Sequence, residues 1–184
     1  MTRAASTADA PRVTLTELLV SLAIAGLLFA AVFGILEEGQ RAWRVAAARA
    51  ETQQAARAAL TRLVGDLRAA GFGGAGFEAV AVAEAQRIVL QQDLDGDGAI
   101  AATGERVTWR LGGGVLRRDA GGGAQPIVNG VRAIQLSYFD GSGAPTAAPG
   151  DVRSVGITLT VEPEHAVHGV PATTVSTRVR LRNR

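Results

Sequence analysis

Residues 18–36 read LLVSLAIAGLLFAAVFGIL, nineteen consecutive positions without a charged side chain. At about 1.5 Å per residue, a helix of this length measures roughly 28 Å, which matches the hydrocarbon core of a bilayer. The stretch is too long and too uniformly apolar for the core helix of a soluble domain. It therefore predicts a membrane-spanning helix.

The charges beside this stretch predict its orientation. Arg3 and Arg12 precede it, whereas Glu37 and Glu38 follow it. Under the positive-inside rule, the N-terminus lies in the cytoplasm and everything after residue 36 lies outside. A cleaved secretory signal peptide is the ordinary alternative, but its apolar region is shorter, about 7 to 15 residues. A plain uncleaved membrane anchor also fits the pattern.

Glu17 stands directly before the apolar run. An ionisable group that enters a membrane costs up to about 3 kcal/mol unless it has a partner. In the first turn of a helix, its negative charge interacts favourably with the positive end of the helix dipole. If the chain were cut before Val13, the new α-amino group would lie one turn away or on an adjacent subunit, as an opposite charge in a low dielectric. Glu17 is therefore a candidate functional residue.

The segment VTLTELLVSLAIAGLLFAAVFG, which begins at Val13, resembles the N-terminal helix of type IV pilins and type II secretion pseudopilins. Precursors in that family carry a short leader, a hydrophobic first residue and a Glu as the fifth, which correspond here to Val13 and Glu17. The resemblance implies cleavage after Arg12 by an aspartyl prepilin peptidase and N-methylation of Val13. It also implies assembly with other pilin or pseudopilin subunits through Glu17, Thr14 and Leu18.

One position departs from the family pattern. The family's residue before the cut is nearly always Gly, and this chain has Arg12 there. The resemblance otherwise implies a single-pass inner-membrane protein with a cytoplasmic N-terminus and a periplasmic or extracellular head. After assembly, such a protein belongs to a pilus or pseudopilus.

The helical pattern continues beyond the apolar run as an amphipathic segment that ends near Ala70. Glycines at 71, 73, 74 and 76 end it, because glycine favours helix termination. The chain is thus predicted to divide into a leader (1–12), a transmembrane or filament-core helix (13–36), its amphipathic continuation (37–70) and a β head (71–184). The apolar stripe of the continuation comprises Ala56, Leu60, Leu63, Val64 and Leu67.

Beyond Gly76 the apolar period changes from 3.6 to 2, which is typical of strands. Gly-rich turns separate these segments and favour antiparallel pairing into one meander-like sheet that packs on Leu60, Leu63 and Leu67. The predicted fold class is α+β and pilin-like, with a long N-terminal helix packed on an antiparallel sheet head. The predicted strands are 87–91, 105–111, 131–139, 152–161 and 174–181, with shorter ones near Val80 and Val115.

The order of these segments narrows the resemblance. DLRAAGFGG at the helix end, VTWRLGGGVLRR, a strand ending in YFD, DVRSVGITLTVE and a terminal VRLRN resemble PilW-type minor pilins and the related J-type pseudopilins. We therefore expect a structural subunit that primes or caps assembly of a type IV pilus or type II secretion pseudopilus. The alternative is a membrane-anchored binding module, calcium-dependent or not, that does not polymerise.

A candidate calcium loop lies in the predicted head. Asp93, Asp95 and Asp97 alternate ahead of Gly98, as oxygen ligands do at the start of a D-x-D-x-D-G loop. Glu105 lies one place beyond the position where such a loop carries its bidentate acid. A solvated turn, in which Asp and Gly are simply favoured, explains the same residues. Both interpretations remain open on the sequence.

Composition excludes several other classes of function. The chain has no Cys, which excludes a disulfide framework, a thiolate metal site and a Cys nucleophile. Its net charge is +2 and its arginines alternate with acids, so no nucleic-acid partner is evident. His165 and His168 lie between prolines and glycine, which favours a loop without metal. No residues form a recognisable catalytic set, and we expect no enzymatic activity.

Overall fold

The structure is a computed structural model that describes residues 13–74, 76–163 and 169–183. The predicted leader, with Arg12, and the pair His165 and His168 lie outside the described residues. The described chain holds a long helix followed by antiparallel sheets, which confirms an α+β layout. The elements are α1 (Leu15–Ala69), β1 (Val80–Ala83), β2 (Arg87–Gln91), β3 (Arg106–Gly112), β4 (Val115–Asp119), β5 (Gln125–Val128), β6 (Val131–Phe139), β7 (Ser154–Val161) and β8 (Thr173–Arg180).

The chain divides into two compact units, Met1–Arg44 and Val45–Arg184. In the first unit, the described residues belong mainly to the N-terminal part of α1, which is long and apolar enough to cross a membrane. None of its most apolar window is buried within the structure. Large apolar side chains such as Leu27 and Phe29 are exposed along it.

In the second unit, the C-terminal part of α1 buries one stripe of side chains in the core. The predicted stripe is correct at Ala56, Leu63 and Leu67, whereas Leu60 and Val64 are only half-buried. Small residues complete the stripe, because Thr52 and Ala59 are buried as well. Thr52 enters the stripe at little cost because its hydroxyl donates to the Ala48 carbonyl at 2.8 Å.

The strands form two sheets, so the prediction of one sheet was wrong. Five strands follow one another as β1-β2-β3-β4-β5, and a second sheet has the order β6-β7-β8. The chain leaves the first sheet after Val128 and passes through Gly130, whose φ of +68° is a conformation that glycine adopts without strain. The Val131 amide then donates to the Gly114 carbonyl at 2.9 Å, and β6 pairs with β7 rather than with β5.

The apolar faces of both sheets contribute to one buried cluster with the helix stripe. Trp109 and Ile88 come from the first sheet, and Ile157 and Leu159 come from the second. At about 25 cal/mol per Å² of buried apolar area, side chains of this size each contribute about 1.5 to 3 kcal/mol. The cluster therefore gives the second unit a core of its own.

Candidate functional site

The start of α1 holds the three predicted assembly residues, Thr14, Glu17 and Leu18, together with Val13, the predicted site of N-methylation. Thr14 precedes the helix as its N-cap, and its hydroxyl accepts the Glu17 amide at 3.3 Å. The Leu18 amide donates to the Thr14 carbonyl at 3.1 Å. Val13 is 67% exposed, and Leu18 is 58% exposed. This turn, residues 13–18, is called the helix head below.

Glu17 occupies the third helical position, where an acid can complete a capping box with Thr14. Its side chain is exposed, and within the described part of the chain no cation lies within ion-pairing distance of its carboxylate. The helix dipole favours a negative charge at this position. Glu17 therefore has a helix-capping explanation as well as the counter-charge explanation given by the sequence.

The loop after β2 holds the predicted metal residues. One carboxylate oxygen from each of Asp93, Asp95 and Asp97 lies within 4.8 Å of the other two. Asp93 is buried, and its carboxylate accepts the amides of Gly96 at 2.7 Å and Gly98 at 3.1 Å. Asp95 and Asp97 are exposed. We call these three residues the aspartate triad.

Glu105, the fourth predicted ligand, is not one of this group. It is buried, and its carboxylate accepts the amides of Leu94 at 3.1 Å, Ala101 at 2.9 Å and Ala102 at 2.7 Å. Burial alone raises the pKa of Glu105, but these amides outweigh it and lower the pKa below its ordinary value. Glu105 therefore holds the loop closed across its base, a role that the spacing of acids did not predict.

The triad concentrates negative charge. The Asp97 amide that donates to Asp95 lowers the pKa of Asp95, but desolvation and repulsion from Asp97, Glu105 and Asp93 outweigh it. The net effect raises the pKa of Asp95 above its ordinary value. A divalent cation would relieve this repulsion. With one oxygen from each carboxylate, the triad supplies three of the roughly six to eight oxygens that Ca²⁺ takes, so carbonyls or water must supply the rest.

The end of α1 anchors this loop, and its glycines are structural. Gly71 and Gly73 have φ of +79° and +96°, and the Gly71 amide donates to the Gln91 carbonyl at 2.8 Å. A Cβ atom at Gly73 would collide with the backbone of Asp93. The Asp93 amide in turn donates to the Phe72 carbonyl at 2.8 Å. These contacts place the buried member of the triad against the helix end.

Sequence reasoning missed one polar cluster. Asp66 on α1 accepts the Trp109 indole N–H at 2.7 Å and two N–H groups of Arg118 at 2.7 and 3.1 Å. The Asp66 and Arg118 side chains are each only 17% exposed. Asp66 lies next to the buried Leu67, and an acid at the border of an apolar stripe is the signal that indicates such a partner.

No family model matches the chain, and no curated protein matches it. What the protein does must therefore be inferred from the helix head, the triad and the surface of the second unit.

Proposed function

We propose that this chain is a minor pilin or pseudopilin, a structural subunit that primes or caps assembly of a type IV pilus or type II secretion pseudopilus. The observation that carries the proposal is Glu17 at the head of an uncharged apolar helix that the rest of the structure leaves unburied. The likeness of the segment that starts at Val13 to the pilin N-terminal helix supports it. The protein then has a structural role and no catalytic one.

The exposed apolar helix needs an environment other than water. Leu15, Leu27 and Ile35 are 79%, 73% and 75% exposed, and each would cost about 1.5 to 3 kcal/mol in water relative to an apolar surrounding. A bilayer supplies that surrounding before assembly. The helices of sister subunits supply it in a filament core.

Glu17 adds specificity to this apolar packing. A carboxylate moved into the core of a filament is unfavourable unless a cation accompanies it. The proposal supplies that cation as the α-amino group of Val13 on a neighbouring subunit, freed by cleavage after Arg12. The pair fixes the axial register of one helix against the next, because other registers leave both charges unpaired.

The test separates this charge role from helix capping. Glu17→Gln keeps an amide that can serve in the capping box with Thr14 but removes the charge. We expect Glu17→Gln and Glu17→Ala to reach the membrane with a folded head. The amount of each variant found in sheared fibres should fall at least about tenfold, which corresponds to about 1.4 kcal/mol per contact. Glu37→Gln, an exposed neighbour after the apolar run, is the matched control and assembles normally.

Two outcomes contradict the charge role. If Glu17→Gln assembles like the unsubstituted protein while Glu17→Ala does not, Glu17 acts as a helix cap. If both variants assemble normally, Glu17 has no part in assembly.

A second candidate function is a membrane-anchored binding module that does not polymerise. Arg12 favours it, because the resemblance calls for Gly before the cleavage site and an uncut chain stays a membrane anchor. The aspartate triad gives that module a site for Ca²⁺, which would staple the loop between β2 and β3 and carry out no chemistry. The N-terminal residue of the native protein separates the two candidates.

A further inference from the structure

Among the described residues, no strand lies beside the outer edge of β8. The sheet order β6-β7-β8 leaves β8 with a single neighbouring strand, with which it pairs from Thr173 to Arg180. Within the described residues, no backbone hydrogen bond reaches β8 from its other side. Such an edge presents unpaired N–H and C=O groups that can add another strand.

The register shows which residues face that edge. The Leu181 amide donates to the Arg153 carbonyl, so the position paired with Arg153 is hydrogen-bonded to β7. Hydrogen-bonded and non-hydrogen-bonded positions alternate in an antiparallel ladder. Ser176, Arg178 and Arg180 therefore direct their N–H and C=O groups to the open edge.

The same positions carry positive charge. Three exposed arginines line a cleft of about 420 Å³ together with Arg68 from α1. They are Arg178 and Arg180 on β8 and Arg182 just beyond it. No acidic residue in the described part of the chain lines this cleft. Within the described residues, none of its four arginines forms a salt bridge. We call these residues the arginine edge.

Arg178 is held in place and not freely mobile. Its guanidinium lies 3.7 Å from the centre of the Phe139 ring, and its Nε donates to the Ser154 hydroxyl at 3.0 Å. Asp140 lines a neighbouring cleft together with Arg178 and Arg180 but forms no salt bridge with either of them among the described residues, and its Oδ1 accepts the Ser142 hydroxyl at 2.7 Å and the Ala144 amide at 3.0 Å. A preorganised cation loses less entropy on binding an anion.

We propose that the arginine edge binds an extended acidic segment of a partner protein, which adds to the second sheet as a strand beside β8. The unpaired backbone groups of β8 and the positive charge of the arginines both favour this occupant. A strand offers donors and acceptors alternately and so matches the outward N–H and C=O groups of β8. Nucleic acid and lipid headgroups offer mainly acceptors along their phosphates and leave the outward carbonyls unmatched. The proposal depends on the second unit alone and holds whether or not the chain polymerises.

The test uses the full chain in a zwitterionic detergent and a fluorescein-labelled peptide as long as β8, 8 residues, of alternating Glu and Val. Fluorescence polarisation measures its Kd. A peptide of equal charge with Pro in place of one central Val is the ligand control, because Pro cannot complete a ladder. We expect the Pro peptide to bind about threefold to tenfold more weakly, the effect of about one hydrogen bond.

The contribution of charge is tested by comparing peptide binding to Arg180→Glu with binding to Arg57→Glu. The second variant is the control, because it changes the net charge by the same amount at an exposed position of α1 outside the cleft. We expect Arg180→Glu to weaken peptide binding by about tenfold or more and Arg57→Glu to leave it nearly unchanged. The contribution of the β8 backbone is tested by Ser176→Pro, which removes an outward amide. This variant should lose as much peptide affinity as the Pro peptide loses. If Ser176→Pro alters the circular dichroism spectrum, and therefore the fold, the Pro peptide alone tests the backbone hydrogen bonds.

Three results overturn the proposal. Equal binding of the two acidic peptides excludes strand addition. Equal effects of Arg180→Glu and Arg57→Glu exclude a local charge site. Binding of a short DNA duplex or phosphatidylglycerol vesicles, with no binding of the acidic peptide, assigns the arginine edge to a different class of partner.

Discussion

At the scale of the residue, Asp66 connects α1 to the first sheet. Its carboxylate accepts hydrogen bonds from the Trp109 indole on β3 and the Arg118 guanidinium on β4. The Asp66 and Arg118 side chains are mostly shielded from water. The hydrogen bonds that Arg118 donates to the Asp66 carboxylate raise the pKa of Arg118 above its ordinary value, so the guanidinium stays charged at every accessible pH. An unpaired charge in this position would be costly.

We predict that Asp66→Ala lowers the free energy of unfolding by about 2 to 3 kcal/mol, because it strands the Arg118 charge and the Trp109 indole N–H. Urea denaturation followed by circular dichroism measures the change. Glu51→Ala, an exposed acid on the same helix, is the control and should change stability by no more than about 0.5 kcal/mol. Equal effects of the two substitutions would show that the cluster contributes nothing beyond a surface charge.

At the scale of the element, the loop between β2 and β3 has two layers of carboxylates with different roles. Glu105 and Asp93 are buried and fix the loop by accepting its amides, whereas Asp95 and Asp97 are exposed and complete the aspartate triad. Because the amides already order the loop, a cation adds to a site that is largely formed. The proposed Ca²⁺ affinity therefore does not require the loop to fold on binding.

We predict that Ca²⁺ stabilises the full chain against urea by about 1.4 kcal/mol when the free ion is ten times its Kd. Asp95→Asn should remove most of this increment, because it takes away a triad carboxylate. Asp140→Asn is the control, since Asp140 accepts amides in a comparable turn but lies outside the triad, and the increment should persist. If Ca²⁺ does not increase the free energy of unfolding of the unsubstituted chain, the triad is only a turn in which Asp and Gly are favoured and not a Ca²⁺ site.

At the scale of the whole molecule, periodicity predicted most of the elements. The bounds of β2 and β6 match the expected 87–91 and 131–139, because each is a run of suitable period between clear turns. Val155, Ile157 and Leu159 recur with a period of 2, which fits no helix and predicts a strand with one buried face, as the structure has it.

Physical reasons explain why the sequence did not predict the remaining features. β5 was not predicted because Pro126 interrupts its pattern, and Pro is tolerated there because β5 is the edge strand of its sheet. The division into two sheets depends on which strand β6 selects as its partner, and apolar alternation is the same for either choice. Likewise, Asp66 and Arg118 are far apart in sequence, so only the fold brings them together.

The site was predictable to the extent that it is local. The spacing of the acids predicted the aspartate triad as a cluster, whereas Glu17 was singled out by its charge beside the apolar run, and the other residues of the helix head by the resemblance to pilins. Glu105 was assigned to the metal by proximity in sequence, but its carboxylate points to the amides of residues 94, 101 and 102 instead. The arginine edge depends on the position of β8 in its sheet, which no pattern within β8 reveals.

The most direct test of the proposed function is the mass and first residue of the native protein, purified from sheared fibres and from membranes. The account predicts a chain in the fibre fraction that begins at N-methylated Val13, which supplies the amine that Glu17 needs. An intact chain that begins at Met1 and is confined to the membrane would contradict it and favour the non-polymerising anchor.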